Sequence, residues 1–139
     1  MKIGGFVMTK PTRLNSVYTL TMTRINVGVK PRELSNKHLL SEHREIKRIP
    51  NKIRSGKYVL KGKPEEFKLG EGHVKFFYDK LLYLKKRYLK IYAECIKRRF
   101  KVTYYGGSWK DLPDELLNDY EEREVDRNII LQRIKSKSK

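Results

Sequence analysis

The chain has 139 residues, 38% hydrophobic and 35% charged, which fits one domain built around one core. Lys and Arg number 33 against 16 Asp and Glu; the resulting +17 points to a polyanionic partner, because each phosphate neutralised by a cation releases condensed counterions. No stretch approaches the roughly 18 apolar residues of a membrane span, the opening apolar run is too short for a signal peptide, and a single cysteine excludes an internal disulfide. Nucleic acid is therefore the leading partner, ahead of an anionic membrane surface.

Residues 1–21 mix Gly, Pro, Thr and Ser without a period and carry only Lys2, Lys10 and Arg13 as charges. They read as an extension outside the active fold, and the cationic excess belongs to residues 22–139. Thr23-Arg24-Ile25-Asn26-Val27 reads as a short extended segment, ended by Gly28 and Pro31. Pro31 opens a predicted helix running to about Pro50, with Glu33 early in it, where a negative charge suits the helix dipole. Lys37, Ser41, Arg44 and Arg48 form one polar stripe with Glu45 at its edge, and Leu39 and Ile46 turn away from it.

Glycines and basic residues make 51–72 a loop. The strongest predicted helix spans about 73–100, where Val74, Phe77, Leu81, Leu84, Tyr88, Ile91 and Cys95 recur every three or four residues. On that stripe Cys95 reads as a packed thiol in a reducing cytoplasm. Gly106-Gly107 marks a turn, Asp111 or Asp114 caps a short helix through Leu117, and 122–135 reads as a final helix around Val125, Ile129 and Ile130. The expected fold is all-α, a compact single domain with long loops.

Gly70-Glu71-Gly72-His73 lacks the Gly-Lys-Ser/Thr ending of a P-loop and follows no apolar strand, so it reads as a tight entry into the long helix. His38 and His43 are five apart, on different helix faces, and no carboxylate set completes a ligand shell with them or His73; neither metal nor cofactor is expected. Tyrosines within the long helix fit core positions, whereas Tyr104, Tyr105 and Trp109 stand beside the glycine turn as open candidates for DNA contact. In Arg44-Glu45-Ile46-Lys47-Arg48 one carboxylate stands among cations. Two readings remain there: a solvated charged face whose ion pairs are each worth under about 1 kcal/mol, or a catalytic carboxylate held ionised by arginines that also grip phosphates.

Three blocks carry a resemblance: Met22-Thr23-Arg24-Ile25-Asn26, His38-Leu39-Leu40-Ser41-Glu42-His43-Arg44-Glu45, and Gly72-His73-Val74-Lys75-Phe76-Phe77-Tyr78-Asp79-Lys80, the last extended through Ala93-Glu94-Cys95. In order and spacing they resemble the phage endonuclease V family, pyrimidine-dimer DNA glycosylases with abasic-site lyase activity, over about Met22 to Asp119. The resemblance implies a compact helical fold and a nucleophile at the α-amine of Thr23, exposed once Met22 is removed. It implies Glu45 as the catalytic carboxylate, and Arg24, Arg44 and Arg48 as DNA-binding residues. It also implies a flipped base in damaged double-stranded DNA, a monomer, and a site of action in the nucleoid or phage-infected cytoplasm.

Two features depart from that pattern. Residues 1–21 precede the nucleophile, and the chain ends Arg133-Ile134-Lys135-Ser136-Lys137-Ser138-Lys139 without the aromatic, basic tail that the family associates with dimer recognition. Two alternatives therefore stand beside the bifunctional glycosylase: a related enzyme for another damaged base, and a non-enzymatic basic helical DNA-binding module.

Overall fold

The structure, a computed structural model, describes residues 23–137; the extension 1–21, Met22 and the last two residues lie outside it. Among the described residues there is no strand. The helices are α1 (Asn36–Glu45), α2 (Arg48–Arg54), α3 (His73–Phe76), α4 (Leu81–Lys97) and α5 (Glu124–Lys137), with short 3-10 turns at Pro31–Glu33, Gly106–Trp109 and Asp114–Leu116. The all-α expectation holds, but two of the predicted helices are broken.

The helix expected over 31–50 is three pieces. The Pro31–Glu33 turn is closed by the Glu33 carboxylate, which accepts the Lys30 N–H at 3.0 Å. Ser35 then adopts an extended conformation and caps α1, its Oγ accepting the His38 N–H at 3.2 Å. After Glu45 the chain turns at Ile46-Lys47, because Pro50 has no N–H for the carbonyl four residues back. That carbonyl, of Ile46, takes the Ile49 N–H instead, at 3.3 Å. Leu39, Ile46 and Ile49 are fully buried, so the break redirects the polar stripe without opening the core.

The long helix breaks at Phe77–Lys80. Phe76, Phe77 and Tyr78 are all buried, and a straight helix would spread three consecutive side chains over roughly 200° of its circumference. One turn of α3 followed by tighter bonds, Phe77 N–H to Val74 O at 3.0 Å and Lys80 N–H to Phe77 O at 2.9 Å, lets all three point inward. From Leu81 the expected stripe holds: Leu81, Leu84, Tyr88, Ile91 and Cys95 are 0% exposed. This helix packs against α1, and the two form the centre of the core.

The last helix starts at Glu124, two residues beyond its expected start, and the short helix before Leu117 is a 3-10 turn. Val125 is exposed, so the inward face of α5 is Ile130 with Ile129 and Ile134 beside it. Asp126 holds the start of α5, accepting the Tyr120 hydroxyl at 2.5 Å and the Arg123 N–H at 2.9 Å. Close approach of α5 dictates Gly28: its φ is +82°, and a Cβ there would lie 2.8 Å from Cβ of Arg127.

Candidate functional site

The segment from Thr23 to Val29 has no helix or strand of its own, yet Thr23, Ile25, Asn26, Val27 and Val29 are all buried. Ile25, Val27 and Val29 alternate into the core. Their backbone is fixed by groups far away in sequence. The Ile25 N–H donates to Nε2 of His73 at 2.8 Å, and Nδ1–H of His73 donates to the Lys68 carbonyl at 2.7 Å. That pattern selects one neutral tautomer, and burial holds the ring's pKa down at about 4. The tight entry at Gly72, in the left-handed region with φ +91°, is what starts α3 at His73.

The side chains of the same segment are anchored as well. Asn26 Nδ2 donates to Oε1 of Glu42 at 2.7 Å, and Glu42 is clasped by Arg87, with Nε to Oε2 at 2.5 Å and Nη2 to Oε1 at 3.0 Å. Both charges of the pair are nearly inaccessible. Burial works against the Arg87 guanidinium, but the Glu42 carboxylate outweighs it and raises the Arg87 pKa. On the far side, Glu122 lies 3.9 Å from Nη1 of Arg87 and accepts the Tyr83 hydroxyl at 2.6 Å.

One helical turn beyond Glu42, Glu45 ends α1. Its Oε2 lies 3.7 Å from Nη2 of Arg44 and 3.9 Å from Nη1 of Arg48. Its side chain is 19% exposed, against 55% for that of Arg44. Burial is the largest influence on its acidity and pushes the pKa up; Arg48, Arg44 and Arg24 pull it down, and Glu42 adds to the rise. The net shift is upward, with the arginines opposing the effect of burial. They offset part of the cost of burying it.

Arg24 belongs to this neighbourhood. It is half-buried, Nε donates to Oδ1 of Asn26 at 3.3 Å, and Glu42 and Glu45 draw on its charge. Burial and nearby Arg133 lower its pKa. The structure thus gathers Arg24, Arg44 and Arg48 around Glu45, with Thr23 attached through its peptide bond to Arg24. Glu45 is a partly desolvated carboxylate with three guanidinium groups acting on its charge.

Asn26, Glu42, His73 and Arg87 were missed as positioning residues. The signal for Glu42 was present: it falls on the Leu39–Ile46 face, where an unpaired carboxylate would be costly and must find a cation. Of the aromatic candidates, Trp109 is 5% exposed and its indole N–H donates to the Leu81 carbonyl at 3.1 Å, which makes it a core residue and not a DNA contact. Tyr83 and Tyr88 are core as expected, Tyr105 is half-buried, and Tyr104 is exposed. Among the described residues no three His, Cys, Asp or Glu side chains come close enough to hold a metal, and no helix is long and apolar enough to cross a membrane. One protein family, described as pyrimidine dimer DNA glycosylase, matches residues 22–105, a span that contains α1 to α4 and every residue of this cluster except Arg133 and Glu122.

Proposed function

The chain belongs to the pyrimidine dimer DNA glycosylase family, and on that premise we propose that it removes the damaged base through the α-amine of Thr23 and then nicks the strand as an abasic-site lyase. The observation that carries this reading is the half-buried carboxylate of Glu45 within 4 Å of two arginines, with Arg24, the residue after Thr23, close enough to act on its charge.

An unperturbed α-amine titrates at about pH 7.7–8.0, against about 10.4 for lysine, so near neutral pH it is substantially unprotonated where an ordinary lysine is so at roughly one part in a thousand or less. The amine nitrogen bonds to the anomeric carbon and the glycosidic bond breaks, its electron pair leaving with the base. Glu45 stabilises the cationic sugar and then carries protons as the ring opens to an imine. The imine acidifies the neighbouring sugar carbon; loss of that proton expels the 3′ phosphate and breaks the strand. Arg24, Arg44 and Arg48 hold phosphates around a lesion whose base must leave the stack.

The chemistry requires an amine at Thr23, so the active form begins there and residues 1–21 are not part of it. The partner is damaged double-stranded DNA, met by a single copy of the chain in the cytoplasm. Borohydride added during reaction of the Thr23-starting form on irradiated duplex reduces an imine to a stable protein–DNA adduct, mapping to Thr23. Cleavage of lesion DNA with no adduct would remove the imine mechanism.

A further inference from the structure

Residues 46–64 contain no acidic residue and seven Lys or Arg, and residues 95–110 contain none and five. The fold brings them together next to the Glu45 turn. Nη1 of Arg54 donates to the Gly107 carbonyl at 3.3 Å, and Nζ of Lys47 stands 4.0 Å from the centre of the Tyr105 ring while donating to the Arg44 carbonyl at 2.7 Å. Tyr105 is held from beneath as well, its N–H donating to the Tyr88 hydroxyl at 2.7 Å and its ring 5.1 Å from that of His43. The loop is therefore clamped to both helices that carry the site.

Tyr104 stands on this clamp. It is 52% exposed, among the most exposed large apolar side chains described. Its ring meets Tyr92 edge-on, with centroids 4.9 Å apart, and its phenol end lies over Gly106, where any Cβ would collide with it. Glycine at 106 is what allows the ring to lie down on the backbone. An open aromatic ring, fixed from one side and lying in a stretch of chain that carries cations and no carboxylate, suits a partner that is anionic and presents flat faces.

We propose that Tyr104 is a base-stacking residue of the DNA interface, pressed against a nucleobase unstacked at the lesion, while exposed Arg54 and Lys101 hold the flanking backbone. The proposal rests on the reading of this protein as a damaged-duplex enzyme and adds a contact that selects the damaged site. An intact duplex offers no free base face, so the ring contributes only where the stack is already broken.

The test compares binding of the full chain to a duplex with one abasic site, whose opposite base has lost its partner, and to the same duplex intact. Tyr104→Ala should weaken binding to the abasic duplex by roughly 5- to 100-fold, the worth of one base–aromatic stack, and leave the intact duplex and the salt dependence unchanged. Tyr104→Trp should retain the affinity. Gly106→Ala keeps the phenol but displaces it, and should reproduce the Tyr104→Ala loss with an unchanged melting temperature. Arg54→Gln and Lys101→Gln should instead weaken both duplexes and each flatten the salt slope by about 0.9. Wild-type affinity of Tyr104→Ala for the abasic duplex, or equal loss on both, overturns the proposal. Imine trapping by the Thr23-starting form tests the underlying reading separately, because it does not depend on Tyr104.

Discussion

His73 Nε2 accepts the backbone N–H of Ile25, 48 residues away in sequence, two residues after Thr23. The ring can do so only while neutral, because protonation turns that acceptor into a donor facing an N–H. Its pKa lies at about 4 in the fold, lowered by burial, against about 6.5 unfolded. Between those values the unfolded chain binds more protons, so stability is complete above about pH 6.5 and falls as pH drops toward 4, by on the order of 3 kcal/mol. His38 and His43, both lowered by burial first and by neighbouring cations, add in the same direction. Urea midpoints across this window should show a steep loss in the wild type and a shallower one in His73→Gln. Parallel curves would mean that His73 is not the main titrating group.

The Glu42–Arg87 pair is predicted to behave as a unit. Removing one partner leaves the other charged and buried, so Glu42→Ala or Arg87→Met should each destabilise by about 3–5 kcal/mol. The double variant should cost clearly less than the two singles added together, and denaturant titration of all four proteins measures the difference. Additive losses would show that the two charges are solvated independently.

The pattern of the sequence reached some of this and not the rest. Period alone located the buried faces of α1 and α4, because Leu39 with Ile46, and Leu81 through Cys95, keep helical spacing. It could not locate the breaks, since apolar residues continue in register across both. The causes are a missing N–H at Pro50 that acts four residues upstream, and three adjacent rings at 76–78 that must all be buried. The Arg44–Glu45–Arg48 cluster was visible because its members are neighbours in the chain. The clasp of Glu42 by Arg87 joins residues 45 apart, and no local pattern announces such a partner. Val125 matched the period of α5 yet is exposed, while Ile130 on the same helix is buried.

Glu45→Gln keeps size and hydrogen bonding but removes the charge. Glycosylase turnover should fall by about 10²–10⁴ while duplex binding survives. The acid limb of the wild-type activity profile should lie above the ordinary glutamate value of about 4.3, because burial raises the pKa of Glu45, and that limb should vanish in the variant. A carboxyl raised in the fold loses stabilisation as pH rises through its folded value, so at neutral pH the variant should melt no lower than the wild type. Wild-type turnover by Glu45→Gln would return the segment to a solvated charged face.

Arg44→Gln and Arg48→Gln should act on binding. If each guanidinium neutralises one phosphate, each variant should reduce the slope of log affinity against log salt by about 0.9. Arg48 is the more enclosed of the two, at 28% against 55% exposure, and its loss also leaves Glu45 less compensated. It should therefore lower turnover at saturating DNA more than Arg44→Gln does. Unchanged slopes in both variants would place the phosphates elsewhere.

The last prediction concerns the start of the chain. An amide nitrogen has no basic lone pair, so the Thr23 amine exists only once the peptide bond to Met22 is gone. Met22 is itself able to serve as an initiator, and threonine is small enough for the methionine before it to be trimmed. Two forms decide the matter: one retaining residues 1–21, the other begun at Met22 and checked by mass for loss of that methionine. Both should bind duplex DNA, since only Lys2, Lys10 and Arg13 of the 33 cations lie in the extension. Only the trimmed form should incise irradiated DNA and be trapped by borohydride. Equal incision by the intact long form would exclude the Thr23 amine. It would direct attention to Lys47, whose ammonium is pushed below the usual lysine range by burial, Arg48 and Arg44, two residues beyond Glu45.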